Sequence, residues 1–323
     1  MEKKTVTKFD PVGYAKFVVE GIVTKLERAR RDEGETKARW LINHVTGVPF
    51  GDITTKGIKP MIREQWDALG KFLDRVIAGE PIQYVVGNTD FLGRVFQCDK
   101  RALIPRPETE ELVEVVLDVV GAASRRDSSN CGLNPLPQKP FQIIDVGTGT
   151  GCIAISLALA LPNAHVIATD ISMDALALAR ENADALFVVP PSGGTDRLKP
   201  GLQTNLKFRQ ADLLDGFEPD SADIIVSNPP YIAENEAASL APEIREYEPH
   251  SALFAGADGL AVIRRLVVQS RAVLRPGGWL FMEIGENQGA AVQKILKDAG
   301  FVEIEVRKDL AGHDRIAQAR RVR

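Results

Sequence analysis

A short segment, Ser-Asn-Pro-Pro-Tyr at residues 227–231, carries the clearest chemistry in the sequence. It follows residues 222–226, whose apolar end predicts a buried strand. Because proline lacks an N–H group and has a fixed φ, the chain must leave the sheet near Asn228. In an open α/β sheet, that edge binds ligands.

The groups at this edge suit a planar substrate that bears an NH2 group. The side chain of Asn228 and the carbonyl of Pro229 offer two hydrogen-bond acceptors, and Tyr231 offers a flat surface. The alternative is a proline turn capped by an asparagine. The candidate catalytic residues are Asn228, Pro229, Pro230 and Tyr231.

A glycine-rich loop predicts a nucleoside site. Residues 141–146 have the pattern of a buried strand and lead into Gly-Thr-Gly-Thr-Gly at 147–151, and a helix is predicted from Cys152 to about Ala160. Glycines let the backbone turn tightly and approach a ligand. The dinucleotide pattern G-x-G-x-x-G would place its third glycine at the position of Cys152, which argues against NAD and FAD. The loop is instead typical of S-adenosylmethionine sites, where no pyrophosphate has to be held.

The next two strands each lead to an acidic residue. Residues 165–170 end at Asp170, about 20 residues past the glycines, where a carboxylate accepts from ribose hydroxyls. The alternative is that Asp170 or Ser172 caps the following helix. The third strand is predicted to end at Asp212, which could accept from the adenine amine, while Leu213 could pack on the ring. An ordinary strand end with a core leucine is the alternative there. The predicted cofactor-binding residues are Asp145, Gly147, Thr148, Gly149, Thr150, Gly151, Asp170, Asp212, Leu213 and Asn228.

One arginine stands out by its neighbours. In Leu-Ile-Pro-Arg-Pro-Glu-Thr-Glu at 103–110, prolines flank Arg106, and a helix is predicted from near Glu108 to about Val120. A restricted backbone presents the guanidinium group at low entropic cost. We expect Arg106 either to contact substrate or cofactor, or to pair with a nearby carboxylate.

Hydrophobic periodicity predicts that residues 10–80 form a helical domain. Its clearest stripe has the spacing of a helix face that packs against a core, and it consists of Ile62, Trp66, Leu69, Leu73 and Val76. Gly79-Glu80-Pro81 ends the last helix. Three short β-like runs follow, the first at residues 84–86, and together they predict a β-hairpin.

The C-terminal part alternates between predicted helices and strands. A helix or loop is expected over residues 237–247, a helix over 260–274, a turn at 275–278 and a fifth strand over 279–284. A further helix is expected over 289–299, and two strands at 301–307 and 316–320 would close the sheet at one edge. Two polar, proline-rich stretches, 122–140 and 190–203, are predicted to be surface insertions.

Composition and charge argue against several classes of function. A formal net charge of −4 over 323 residues gives no global basic footprint for nucleic acid. No apolar run reaches the ~18 residues of a membrane span, and the N-terminus lacks the apolar core of a secretory signal. Three cysteines without a C-x-x-C pair favour a reducing compartment, and four scattered histidines predict no metal site. The predicted location is the cytoplasm, with an organelle as the alternative if a transit peptide is absent from this chain.

Taken together, these segments resemble the PrmC/HemK family of protein-(glutamine-N5) methyltransferases over nearly the whole chain. The Asn-Pro-Pro-Tyr box alone is shared with adenine-N6 DNA methyltransferases. The Ile-Pro-Arg-Pro-Glu-Thr-Glu segment behind a helical domain is more specific to the glutamine enzymes. The segments that carry the resemblance are residues 81–84, 103–110, 145–151, 227–231, 247–249, 256–260 and 309–315.

The resemblance implies a Rossmann-like class I methyltransferase fold, α/β with a mostly parallel seven-stranded sheet. The implied domains are a helical, substrate-binding domain (1–82), a hairpin linker (83–107) and an S-adenosylmethionine-dependent methyltransferase domain (108–323). The implied substrate is the glutamine of the Gly-Gly-Gln motif in a class 1 peptide chain release factor, and S-adenosylhomocysteine is the product. We expect a monomer with no stable nucleic acid partner and no membrane. The alternatives are an adenine-N6 DNA or RNA methyltransferase and a non-catalytic S-adenosylmethionine-binding protein.

Overall fold

The computed structural model describes residues 9–125, 141–187 and 205–322. The predicted insertion at 190–203 and residues 126–140 of the other insertion lie outside the described residues. The chain divides into two compact units. A helical unit comprises Met1–Gly87 and Ala241–Tyr247, and an α/β unit comprises Asn88–Leu240 and Glu248–Arg323.

The helical unit is built around an apolar core to which each long helix contributes one face. Its helices are α1 (Pro11–Arg28), α2 (Gly34–Thr46), α3 (Asp52–Thr55), α4 (Arg63–Ala78), α5 (Ile82–Val86) and α9 (Pro242–Tyr247). Asp10 caps α1, since its side chain accepts from the backbone N–H groups of Val12 and Gly13. Gly79 ends α4 in a left-handed conformation, as the sequence predicted.

The predicted stripe on α4 is only partly buried. Leu69, Leu73 and Val76 are buried, whereas Ile62 and Trp66 are 60% and 42% exposed. Ile62 is the N-cap residue and has an extended backbone (φ −75°, ψ 166°), so it lies outside the helical repeat. The prediction of a five-residue core face was therefore wrong at its first two positions.

The predicted β-like run at 84–86 is also wrong, because these residues belong to the short helix α5. Pro81 precedes the helix with extended backbone, and Gly87 ends it with φ +79°. The guanidinium of Arg75 donates to the carbonyls of Tyr84 and Val85, both at 3.3 Å. A cation at these C-terminal carbonyls stabilises a helix that is too short to be stable alone.

Helix α9 belongs to the helical unit although its flanking residues belong to the α/β unit. Within the helical unit, the ammonium group of the buried Lys37 lies 4.0 Å from Glu243, and the hydroxyl of Tyr247 donates to the carbonyl of Ala78 at 3.4 Å. The predicted domain scheme differs here, since it assigned 108–323 to one domain. It also grouped 83–107 as a linker, whereas the division between the two units falls within that stretch, at Gly87.

The α/β unit contains one seven-stranded sheet in the order β5-β4-β3-β6-β7-β9-β8, and a separate hairpin of β1 and β2. Its elements are β1 (Asn88–Phe91), β2 (Arg94–Gln97), α6 (Pro107–Arg125), β3 (Phe141–Val146), α7 (Cys152–Ala160), β4 (Ala164–Asp170), α8 (Met173–Phe187), β5 (Leu206–Gln210), β6 (Ala222–Ser227), a 3-10 helix (Glu234–Ser239), α10 (His250–Leu253), α11 (Ala261–Val273), β7 (Leu274–Glu283), α12 (Gly289–Asp298), β8 (Phe301–Lys308) and β9 (Asp314–Arg321).

Helices cover both faces of this sheet. Successive residues of a strand point to opposite faces, so Ile143 joins the core with α6 and α7, while Ile144 joins the core with α11 and α12. Strands β3 to β7 pair in parallel, whereas β9 pairs antiparallel with both β7 and β8. The predicted Rossmann-like, mostly parallel seven-stranded fold is confirmed.

The predicted turn at 275–278 lies within β7. That strand starts at Leu274, which pairs with Ala222, and the register then shifts so that Trp279 pairs with Ile224. The strand bulges here, since Gly277 has φ +86°, so the turn-like conformation that the sequence predicts is accommodated within the strand. The predicted closing strands are present as β8 and β9, with β8 at the edge of the sheet.

Candidate active site

The carboxyl ends of β3, β4 and β6 meet at one edge of the sheet. Val146 pairs with Thr169 on one side and with Ser227 on the other, so the residues that follow these three strands are neighbours. A cavity of about 410 Å³ opens at this edge. That volume lies within the range of small-molecule sites, about 300–1,000 Å³.

Most of the predicted site residues line this cavity. The structure brings together Arg106, Gly147, Thr148, Gly149, Thr150, Asp170, Asp212, Leu213, Asn228 and Pro230. It does not place Asp145, Gly151, Pro229 or Tyr231 in the cavity wall.

The glycine loop is held against β4. The N–H groups of Gly147 and Thr148 both donate to the carbonyl of Thr169 at 2.8 Å. At Gly147 the backbone has φ +73°, and a Cβ atom would meet nothing within 4 Å. The loop therefore exposes backbone where a ligand can approach closely.

Gly151 has a different role from the other two loop glycines. It has φ +83°, and a Cβ atom there would lie 3.0 Å from Cδ1 of Ile155 and 3.1 Å from Cβ of Ala179. Its small size allows α7 and α8 to pack closely at this point. The structure gives Gly151 a packing role, and its contact with the cofactor stays a prediction.

Asp145 forms hydrogen bonds within the glycine loop and does not line the cavity. Its Oδ2 atom accepts from the Thr148 hydroxyl at 2.6 Å and from the Ala154 N–H at 3.2 Å, and its Oδ1 atom is buried without a hydrogen-bond partner. Burial raises the pKa of Asp145 to about 7. In this structure the Oδ2 atom of Asp145 is used within the loop, and direct contact between Asp145 and the cofactor stays a prediction.

Asp170 and Ser172 both line the cavity, and Ser172 also caps α8. Oδ2 of Asp170 accepts from the Gly149 N–H and Oδ1 from the Ser172 N–H, both at 2.9 Å. The hydroxyl of Ser172 accepts from the Ala175 N–H at 3.2 Å, which is the capping bond. Each carboxylate oxygen of Asp170 keeps a second lone pair that can accept from a ligand hydroxyl.

Strand β5 ends at Gln210, two residues before the predicted end at Asp212. Asp212 and Leu213 nevertheless reach the cavity, since the chain turns there and Leu213 has φ +54°. Oδ2 of Asp212 accepts from the guanidinium of Arg265 at 2.7 Å. Arg265 also lines the cavity and was missed, because an arginine on an amphipathic helix is by default a surface charge.

Arg106 pairs with a carboxylate, which was one of the two predicted outcomes. Its guanidinium lies 2.5 Å from Oε1 of Glu248, and Oε2 of Glu248 accepts from the Ile104 N–H at 3.3 Å. The Glu248 side chain is 1% exposed, whereas the Arg106 side chain is 30% exposed and lines the cavity. Glu248 was missed as a site residue although it lies in the Tyr-Glu-Pro segment.

Asn228 leaves the sheet where it was predicted to do so. The hydroxyl of Ser227 donates to the Val146 carbonyl at 2.7 Å, which ties the end of β6 to β3. The Asn228 Nδ2 group donates to Oγ1 of Thr109 at 3.0 Å. Since Nδ2 is directed to Thr109, the Oδ1 acceptor on the other prong of the amide points elsewhere.

Tyr231 lies beside a buried carboxyl group instead of in the cavity wall. Its hydroxyl donates to Oε1 of Glu283 at 3.2 Å, and its carbonyl accepts from the side chain of Gln288 at 2.9 Å. Burial raises the pKa of Tyr231, so the phenol stays neutral. The packing of its ring against a substrate amide stays a prediction.

Glu283 and Thr109 were not predicted. Glu283 ends β7 and is 1% exposed, and burial raises its pKa while the hydrogen bonds from Thr109 and Tyr231 oppose that shift. The signal available in the sequence was a single acid in the apolar run at 279–284. Such an acid at the end of a buried strand needs partners, and here they are two hydroxyl groups.

The lining suits S-adenosylmethionine. Two carboxylates, Asp170 and Asp212, can accept from ribose hydroxyls and an adenine amine, and Leu213 supplies an apolar surface. The glycine loop leaves open space for a ligand beside the backbone. In the described part of the chain, no cluster of three or more His, Cys, Asp or Glu could hold a metal ion, and no helix there is long and apolar enough to cross a membrane.

Two protein families match the chain. The Methyltransferase small domain matches residues 125–246, and the PrmC N-terminal domain matches residues 19–87. Among solved structures, the catalytic domain of hMettl16 in complex with a MAT2A 3′UTR hairpin covers 78% of this chain and 91% of that chain, with a TM-score of 0.51 and 16% identity. At that identity the likeness shows the fold alone.

Two names recur among the similar sequences, release factor glutamine methyltransferase and bifunctional methyltransferase. The release factor glutamine methyltransferase of Cereibacter sphaeroides is 38% identical over 92% of this chain and 95% of its own length. That of Enterococcus faecalis is 36% identical over 89% of this chain and 88% of its own length. The bifunctional methyltransferase of Rickettsia typhi is 34% identical over 91% of this chain, which spans only 55% of that protein. With full-length relatives at this identity, the chain belongs to the release factor glutamine methyltransferase family.

Proposed function

We propose that this protein transfers the methyl group of S-adenosylmethionine to the side-chain amide nitrogen of the Gly-Gly-Gln glutamine in a class 1 peptide chain release factor. Membership of the family supports the enzyme class, the methyl donor and the kind of protein substrate. The observation that carries the site assignment is the position of Asn228, in the cavity wall with its NH2 group already bonded to Thr109.

The chemical problem is the weak nucleophile. A carboxamide nitrogen shares its lone pair with the carbonyl group, so it attacks poorly. When bound, S-adenosylmethionine supplies an electrophilic sulfonium methyl group. The chain's own task is to hold the glutamine amide in one orientation and to favour positive charge on its nitrogen.

Asn228 and Pro229 supply the acceptors for that task. Oδ1 of Asn228 would accept one N–H of the substrate amide, and the carbonyl of Pro229 would accept the other. Two acceptors fix the nitrogen and favour the charge that develops on it in the transition state. No side chain in the cavity wall is assigned as a general base, and the proton is released to water after transfer.

The cofactor would lie along the other strand ends. Gly147 and Gly149 allow the backbone to approach it, Asp170 would accept from the ribose hydroxyls, and Asp212 with Leu213 would bind the adenine ring. Arg265, bonded to Asp212, holds that carboxylate in place.

Transfer of labelled methyl to a purified release factor tests the proposal. The comparison substrates are the same factor with the Gly-Gly-Gln glutamine changed to alanine, and duplex DNA. Label on the intact factor alone is the expected result. Label on DNA would move the assignment to adenine methylation, and label on neither, with the cofactor bound, would favour a binding protein.

The variant Asn228→Ala tests the assigned residue. We expect loss of turnover by about 10²-fold or more, the range seen when one transition-state hydrogen bond is removed. Binding of S-adenosylmethionine, measured by calorimetry, should be largely kept. Retained turnover would overturn the role given to Asn228.

A further inference from the structure

We infer that Thr109 and Glu283 are positioning residues, which fix the side-chain amide of Asn228 so that its acceptor, and not its donor, faces the substrate. This inference rests on the proposed function of Asn228 in binding the glutamine amide. Neither residue lies in the Asn-Pro-Pro-Tyr box, and they come from α6 and from the end of β7.

Three hydrogen bonds connect these groups in one line. Nδ2 of Asn228 donates to Oγ1 of Thr109 at 3.0 Å, and that hydroxyl donates to Oε2 of Glu283 at 2.7 Å. Tyr231 donates to the other oxygen, Oε1 of Glu283, at 3.2 Å. Thr109 is 2% exposed and Glu283 is 1% exposed, so water does not compete for the bond between them, while Thr109 and Asn228 both line the cavity.

The direction of each bond follows from a count of protons. The hydroxyl of Thr109 has a single proton, and the short contact to a carboxyl oxygen takes it. The oxygen of Thr109 is then an acceptor toward Asn228, so it selects the NH2 prong of the amide. Glu283 thereby decides the orientation of Asn228 without touching it.

The alternative orientation of Asn228 would oppose the reaction. The two prongs of an amide have nearly the same shape, and only hydrogen bonds distinguish them. If the proton of Thr109 were free to rotate toward Asn228, it could bond Oδ1 and turn the NH2 group toward the substrate. The NH2 group of Asn228 would then face the NH2 group of the substrate amide, and neither group could accept a hydrogen bond from the other.

The large sequence separation of these residues indicates that the hydrogen bonds belong to the site and do not form a local helix cap. The bonds join residues 119 and 174 positions apart in sequence, from three different elements. The hydroxyl groups of Tyr231 and Thr109 each donate to one oxygen of Glu283, and Arg315 adds a nearby positive charge. The carboxyl group is thus held in place before Asn228 is oriented.

The pair Thr109→Val and Thr109→Ser tests the inference in the full-length protein. Valine keeps the shape of threonine and removes the hydroxyl, whereas serine keeps the hydroxyl and removes a methyl group. We expect Thr109→Val to lower kcat by at least about tenfold, with the KM for the release factor and the Kd for S-adenosylmethionine changed by less than about twofold. Thr109→Ser should recover most of that loss.

Thr89→Val is the matched control for packing. Thr89 is also a buried threonine of the α/β unit, at 6% exposure, and does not line the cavity. We expect its substitution to leave kcat unchanged. Equal losses of kcat in Thr109→Val and Thr109→Ser would show that packing matters and the hydroxyl does not, and this would overturn the inference.

A spectroscopic measurement reports the orientation directly. The side-chain NH2 signals of Asn228, assigned by their loss in Asn228→Asp, should shift in Thr109→Val and in Glu283→Gln, and stay near their wild-type positions in Thr109→Ser. Unchanged signals in both of the first two variants would overturn the inference. Failure of the wild-type protein to methylate the release factor would instead remove the proposed function itself.

Discussion

The guanidinium of Arg106 lies 2.5 Å from Oε1 of Glu248, whose side chain is almost completely buried. The second oxygen of Glu248 accepts from the backbone of Ile104. This ion pair therefore anchors the segment that leads into α6, the helix that carries Thr109. A buried carboxylate that loses its cation is left uncompensated, and this is strongly destabilising.

Replacing Arg106 by alanine separates its two predicted roles. Because the arginine is partly exposed, we expect a loss of about 2 kcal/mol in the free energy of unfolding, below the range for fully buried pairs. Denaturant titration measures this loss. The comparison variant is Glu248→Gln, which keeps an acceptor for Ile104 and should cost less. An Arg106→Ala protein as stable as wild type but slow in methyl transfer would show that the arginine acts on substrate.

The buried carboxyl group of Asp145 predicts a dependence of stability on pH. Burial raises its pKa in the folded state to about 7, so the folded state binds this proton more tightly than the unfolded chain does. Its contribution to stability is thus complete at acidic pH and is lost as the pH rises through about 7.

The variant Asp145→Asn removes this titration. Between about pH 4 and pH 7, we expect the free energy of unfolding of the wild type to fall relative to that of the variant, by on the order of 1.4 kcal/mol per pH unit at most. Urea titrations at intervals across that window measure the difference. Parallel pH profiles for the two proteins would contradict the assignment.

Substitution by alanine should have different effects at two glycines of the loop. At Gly151 a Cβ atom would press on Ile155 and Ala179, so Gly151→Ala should lower stability by about 2 kcal/mol from backbone strain and overpacking. At Gly147 a Cβ atom meets no protein atom within 4 Å. Gly147→Ala should therefore cost only about 1 kcal/mol of stability, while it weakens binding of S-adenosylmethionine.

Thermal unfolding and calorimetric titration with S-adenosylmethionine measure both effects. If Gly147→Ala bound the cofactor as well as wild type, the glycine loop would not approach the ligand as proposed.

Asp170 and Ser172 offer a matched pair on one turn. Asp170→Asn replaces the carboxylate that is proposed to accept hydrogen bonds from the ribose hydroxyls. We expect the Kd for S-adenosylmethionine to rise by about tenfold or more. Ser172→Ala removes the cap of α8 and should cost about 1 kcal/mol of stability. Because Ser172 also lines the cavity, its substitution can change the Kd, and we expect that change to be smaller than the change for Asp170→Asn. Equal rises in the Kd would contradict the specific role given to the Asp170 carboxylate.

The strands around the cavity could be predicted because they are buried on both faces. β3 and β6 form short, largely apolar and buried runs, and a glycine or a proline follows each of them within two residues, where the chain must turn. The helix α7 begins at Cys152 as predicted, since the glycine loop marks its start. In such segments local sequence and tertiary burial favour the same structure.

The errors fall where tertiary contacts decide. Residues 84–86 are β-branched and aromatic, yet bonds from Arg75 to their carbonyls favour a helix. Likewise, the role of Asp145 depends on its partners Thr148 and Ala154, which sequence spacing alone did not reveal. Thr109 and Glu283 could not be paired in advance, because 174 positions separate them and no local pattern connects them.

The membership of residues 241–247 in the helical unit has a practical consequence for dissecting this enzyme. The two units are interleaved in the polypeptide, so no single cut yields both of them intact. Removing the N-terminal 87 residues would strip α9 of Lys37 and Ala78, its recorded partners in that unit. A truncated catalytic fragment would therefore retain seven residues, between Leu240 and Glu248, whose packing partners have been removed. If such a fragment lost activity, the loss could not be attributed to substrate recognition alone, since the fragment itself would be damaged.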